Sequence, residues 1–153
     1  MQGRQTEGIP SSATPSPKNP LARRMIESGN KFRMRVLHIY KGDLYGGIET
    51  ILSTLARTRH LQRGMEPHFA LCSRGRLSAE LATESVPLYD LGQVRGRNPI
   101  SVWRARQLLA DILRRNHIDV AICHGTWAQA LFGSTVKSAN VTQIFWQHDL
   151  ITG

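Results

Sequence analysis

Gly46, Gly47, Glu49, His124 and His148 are the residues of this chain whose types and positions suit chemistry. In "GDLYGGIET" two adjacent glycines precede a helical pattern, so a helix N-terminus opens there with unsatisfied N–H groups and the positive end of its dipole. Two residues without side chains allow a diphosphate to approach that backbone closely. The alternative is that the pair only makes the strand-to-helix turn. Glu49 falls in the first helical turn, where a carboxylate stabilises the helix; it could also orient the glycine loop or contact a polar ligand. His148, followed by Asp149, can donate a hydrogen bond to a sugar hydroxyl or a developing oxyanion, or act as an acid or base. His124, followed by Gly125, has the same capacity.

Several chemistries lack their residues. The glycines Gly42, Gly46 and Gly47 do not have the G-x-G-x-x-G spacing of a dinucleotide site, and no Gly-Lys-Ser/Thr of a Walker loop occurs. No Asp-x-Asp pair is present to hold a metal-bound diphosphate, and His124, Cys123 and His148 do not form a closely spaced ligand set, so no metal site is expected. Cys72 and Cys123 each end an apolar run and read as buried, reduced thiols. His38, Trp103, Trp127 and Trp146 read as packing residues, with Trp127 alone placed where it could meet a ligand.

These side chains need elements to position them. "RVLHIY" (35–40) reads as a buried strand, and Ile48, Ile51, Leu52, Leu55 and Ala56 then repeat at helical spacing up to Arg63-Gly64. "PHFALC" (67–72), "VPLYDL" (86–91), "IDVAICH" (118–124) and "VTQIFWQH" (141–148) read as further strands, separated by helical segments. One of these, opened by Pro99, carries Ala105, Leu108, Leu109, Ile112 and Leu113 as an apolar stripe. Strands that are apolar throughout and alternate with helices predict a Rossmann-like, doubly wound α/β fold with a parallel sheet of about five strands. In a 3-2-1-4-5 order the first and fourth strands are neighbours at the switch point, and the glycine turn, His124 and His148 share one rim.

Residues 1–33 differ: they hold four of the seven prolines and little apolar periodicity, and are expected to be a disordered extension, with 34–153 as the folded domain. A targeting role for the extension and a biological start at Met34 both remain open. Of the net charge of +9, +4 falls in 1–33 and +5 in the remainder, where the arginines are dispersed. Dispersed charge without a stacking platform argues against nucleic acid as partner and is compatible with phosphate-bearing ligands or peripheral contact with a membrane. No apolar stretch reaches the roughly 18 residues that a membrane span needs, which suits a cytoplasmic protein.

With these pieces in order, "MRVLHIYKGDLYGGIETILSTLAR", "RHLQRGMEPHFAL", "LADILRRNHIDVAICHGTWAQAL" and "VTQIFWQHD" resemble the N-terminal, acceptor-side domain of GT-B glycosyltransferases of the family 4 type, over about residues 34 to 149. Met65-Glu66-Pro67 and Asn116-His117-Ile118-Asp119 depart from the family's patterns. The resemblance implies retaining, metal-independent transfer of a sugar from a nucleotide-diphosphate donor to a sugar, lipid or glycan acceptor, with no further cofactor. It implies that Gly46 and Gly47 approach the donor diphosphate, that His148 is the catalytic residue contacting the transferred sugar, and that Glu49 and His124 support them. The family's C-terminal, donor-binding domain has no counterpart within these residues, so the chain is expected to be an incomplete, inactive half. The alternative is a non-catalytic Rossmann-like module that binds a nucleotide or anion.

Overall fold

The computed structural model describes residues 20–29, 32–43 and 46–148; residues 1–19 of the extension and Asp149 lie outside them. The chain divides into two units, Met1–Lys31 and Phe32–Gly153. In the first, Pro20–Ser28 form helix α1, where composition had suggested disorder. Proline suits the first helical position because its missing N–H has no partner to lose, and Arg23 Nε donates to Glu27 Oε1 across 2.7 Å one turn on.

The second unit alternates strands and helices as expected: β1 (Met34–Tyr40), α2 (Gly47–Arg57), β2 (Met65–Leu71), α3 (Arg76–Thr83), β3 (Leu88–Asp90), α4 (Pro99–Arg115), β4 (Val120–His124), α5 (Gly125–Ser138) and β5 (Thr142–Trp146). All pairings are parallel and the sheet order is β3-β2-β1-β4-β5, the order that places β1 and β4 side by side. Asp119 fixes that junction: its N–H donates to Arg35 O at 3.0 Å, and its carboxylate accepts from Arg35 N at 2.8 Å. Pro67 is tolerated in β2 because the ladder with β3 begins only at Phe69, so the missing N–H has no carbonyl opposite it.

Alternation along the strands divides the core. Leu37, Ile39, Ala121 and Cys123 pack under α4 and α5 with Leu109 and Phe132, whereas Phe69 and Leu71 pack under α2 and α3 with Leu52 and Leu81. Asn98 caps α4, its Oδ1 accepting from the backbone N–H groups of Ile100 and Ser101 at 3.1 and 3.2 Å. Helical spacing placed two residues too far inward. Ile51 and Leu108 are 41% and 43% exposed, because the layers of this unit cover only part of each predicted stripe. Trp103 likewise is not a packing residue, standing 61% exposed on α4, and Trp146, on the edge strand β5, is 43% exposed although its ring packs against His124 and His148.

Candidate functional site

Each predicted site residue is held by the end of a strand or the start of a helix on one edge of the sheet. Gly46 precedes α2 and Gly47 opens it, His124 ends β4 and caps α5, and His148 follows β5 by two residues. Among the described residues of the first loop the left-handed position is Gly42, with φ +81, whereas Gly46 is extended, with φ −157. The glycine pair is therefore not needed to make the turn. A Cβ on Gly47 would meet no heavy atom within 4 Å, so this backbone is open to an approaching group. The first intrahelical bond is Thr50 N–H to Gly46 O at 3.1 Å, which leaves the N–H groups of Gly47 and Ile48 ahead of the hydrogen-bond ladder.

Glu49 is 2% exposed and does more than favour the dipole. Its Oε2 accepts from Gly46 N at 2.7 Å and its Oε1 accepts from Tyr40 Oη at 2.6 Å. The carboxylate thus fixes the glycine turn to the end of β1. Tyr40 in turn meets the His124 ring edge-on, at 6.5 Å between centroids.

From His124 the contacts continue in both directions. His38 Nδ1 lies 2.9 Å from His124 Nε2, and His124 Nδ1 lies 2.9 Å from His148 Nε2, with successive rings stacked at 5.2 Å. His148 also stacks on Trp146 at 4.9 Å, and His38 on Phe69 at 5.4 Å. Burial holds His38 down at about 4. Burial first, and then the neighbouring His38 and His124's other partner His148, push His124 down to about 3. Both rings are accordingly neutral near pH 7, each with one N–H and one lone pair. Burial also assigns the direction of the chain. His38 Nε2 is buried and has no partner; an orphaned N–H there would be costlier than an orphaned lone pair. His38 Nδ1–H therefore donates to His124 Nε2 and His124 Nδ1–H donates to His148 Nε2. With Nε2 accepting, the His148 ring carries its own N–H on Nδ1, on the side away from His124.

The predicted residues are thus one network rather than separate groups: Gly46 to Glu49, Glu49 to Tyr40, Tyr40 to His124, and His124 to His148. His38, expected to be only a packed residue, is buried as predicted but is also the inner end of the histidine chain. Tyr40 and Lys41 were missed. The signal for Tyr40 was its period-2 spacing from His38, which puts both on the face that meets His124. Lys41 pairs with Asp43 and places its Nζ 5.7 Å from the centroid of the Trp127 ring, linking the first loop to the first turn of α5. Trp127 therefore lies at the rim as expected, while its edge contact with Phe132 at 6.1 Å also anchors it in the core. Cys72 and Cys123 are buried, and burial pushes their thiols up to about 12 and about 11, so neither is a nucleophile near neutral pH. Among the described residues, no group of three or more His, Cys, Asp or Glu is placed to hold a metal ion.

No protein-family model and no curated protein sequence matches the chain. Solved structures do. A glycosyltransferase from Rickettsia africae ESF-5 is 18% identical with a TM-score of 0.59, the match covering 74% of this chain and 29% of that one. MurG of Acinetobacter baumannii is 15% identical with a TM-score of 0.61, covering 78% and 36%. The UDP-GlcNAc 2-epimerase of Neisseria meningitidis, solved bound to UDP-GlcNAc, is 16% identical with a TM-score of 0.53, covering 78% and 33%. The fold is therefore the Rossmann-like α/β layer found in GT-B glycosyltransferases, and the chain spans about a third of the length of these structures.

Proposed function

We propose that this chain is the acceptor-side, N-terminal domain of a retaining, metal-independent glycosyltransferase of the family 4 type, which uses a nucleotide-diphosphate sugar as donor. The observation that carries the reading is the hydrogen-bonded and ring-stacked path from Gly46 through Glu49, Tyr40 and His124 to His148 along one sheet edge. It sets an open helix N-terminus and a histidine N–H on the same rim, which suits a ligand carrying both a diphosphate and a sugar. In the transfer, the bond from the sugar's anomeric carbon to the diphosphate oxygen breaks and the diphosphate leaves with the electron pair. The acceptor oxygen bonds to that carbon and its proton passes to the leaving diphosphate. Charge grows on the diphosphate as the bond breaks, so the fixed N–H groups of Gly47 and Ile48 stabilise the transition state more than the ground state. His148 Nδ1–H contacts a sugar hydroxyl and holds the sugar so that the acceptor oxygen meets the anomeric carbon on the face from which the diphosphate leaves.

One structural relative is named a glycosyltransferase and another, an epimerase, was solved bound to a nucleotide sugar, which supports this donor class. The test is sugar transfer from UDP-, GDP- and ADP-sugars by the longest reading frame that contains this chain. His148→Ala is expected to reduce kcat by about 100-fold, the usual scale for loss of one oriented polar contact. Unchanged transfer in His148→Ala and Gly47→Trp would remove these residues from the site. Nucleotide-sugar binding without any transfer would favour the non-catalytic binding module.

A further inference from the structure

We infer that the groove between α2 and the side of the sheet formed by β4 and β5 binds a small, uncharged aromatic molecule that donates one hydrogen bond to His38 Nε2, as a phenol or an indole does. The groove has a volume of about 450 Å³, within the range of small-molecule sites. His38 and Ile122 form its floor, Ile51, Leu55 and threonines of α2 its wall, and Met65 and Trp146 its ends. Topology leaves this floor open. His38 pairs with Phe69 on one side and with Ile122 on the other, and Ile122 pairs with Ile144, so all four share the face on which Phe69 packs under α2. α4 and α5 cover the opposite face, and Ile144 is 45% exposed.

The lining sets the chemistry of the occupant. Among the described residues no Lys, Arg, Asp or Glu lines the groove, although the chain carries a net charge of +9. A charged group brought here loses its hydration and gains no counter-charge. Hydroxyls of the wall are already spent on the helix: Thr50 Oγ1 donates to Gly46 O at 3.0 Å and Thr58 Oγ1 donates to Thr54 O at 2.8 Å. That leaves His38 Nε2. It is a buried acceptor without a partner, in a residue only 3% exposed, because Nδ1–H is committed to His124. In an imidazole Nε2 lies on the side of the ring away from the backbone, so it stands out of the sheet towards the layer that holds the groove. An orphaned acceptor among apolar walls calls for an apolar molecule with one donor. A flat ring meets both demands, since it reaches Nε2 edge-first and lies against the Trp146 indole, which also packs on the His124 and His148 rings. The donor points to the floor and not to the rim, so this ligand is not the group that receives a sugar, and its binding does not depend on the transferase reading. An occupied groove nonetheless reaches the rim through the hydrogen bonds from His38 to His124 and from His124 to His148.

The experiment is an NMR titration of the full, ¹⁵N-labelled chain with indole and with benzofuran, which has the same shape and no N–H. Indole is expected to bind at least about tenfold more tightly, the scale of one buried acceptor paired instead of left orphaned. The His38 Nε2 resonance should move upfield with indole and stay in place with benzofuran. In His38→Leu the two molecules should bind alike. Ile51→Glu puts a charge on the wall and should weaken both by at least about tenfold. Ile51 is exposed, so this variant should keep the parent's thermal transition and carries the test even where His38→Leu does not fold. Equal affinity for indole and benzofuran in the parent would overturn the proposal, as would an unmoved His38 Nε2 at saturation or undiminished binding in Ile51→Glu. A dimer of the parent that Ile51→Glu disperses would overturn it in favour of a second copy covering this face.

Discussion

His38 on β1 and His124 at the end of β4 share a buried contact of 2.9 Å between Nδ1 and Nε2, although 86 residues separate them. The parallel pairing of β1 with β4 brings His38 opposite Ile122, two residues before His124 on the same face. The sheet order therefore makes the histidine chain, and the chain gives the molecule measurable properties.

Stability should fall with acid. The imidazole of His38 is held near 4 and that of His124 near 3, both below the ordinary value of 6.5. Below pH 6.5 the unfolded chain takes up protons that the folded chain refuses. Stability is thus complete above that pH and is lost as pH falls towards 4, by at most about 1.4 kcal/mol per pH unit for each ring. Thermal melts at pH 7.5, 6 and 5 should show a falling midpoint. In His38→Leu the midpoint should fall less steeply with pH, whatever its height, and an equally steep fall would remove His38 as a source.

The ring nitrogens should be spectroscopically distinct. Long-range ¹⁵N–¹H correlation at pH 7 is expected to find Nδ1 protonated in both His38 and His124, and an unprotonated Nε2 in His38. A proton on His38 Nε2 would reverse the direction of the chain and turn the Nδ1–H of His148 into an acceptor.

Glu49 should matter to the glycine turn before it matters to any ligand. Glu49→Ala removes the acceptor of Gly46 N and of Tyr40 Oη, and should destabilise by about 2–3 kcal/mol. Tyr40→Phe loses one bond and should cost about 1 kcal/mol. Faster amide exchange at Gly46 in Glu49→Ala, with Tyr40→Phe close to the parent, is the expected pattern in hydrogen-exchange measurements.

The glycines at the two helix starts should respond differently. Gly125 has φ +80, so Gly125→Ala is strained and should destabilise by about 1–2 kcal/mol. Gly47→Ala meets open space and should change stability by less than about 1 kcal/mol in chemical denaturation, since alanine is the better helix former. A large loss in Gly47→Ala would mean that the turn itself requires this glycine.

The sequence alone determined the alternation of strands and helices, and with it the parallel sheet, because apolar runs and helical stripes are periodic and each is set by neighbouring residues. It also marked the glycine turn and both strand-end histidines, since an abrupt change of period and a polar residue closing an apolar run are local signals. It misplaced Ile51, Leu108 and Trp103, because which part of an apolar stripe is covered depends on the layers above it. It gave no sign of the helix at Pro20–Ser28, a short pattern that proline begins rather than breaks. The contacts of Glu49 with Tyr40, and of His124 with His38 and His148, were decided only by tertiary structure. Hydrogen bonds reach about 3 Å and are blind to sequence distance. Which nitrogen meets which is fixed when β1, β4 and β5 come into register, and no spacing along the chain carries that information.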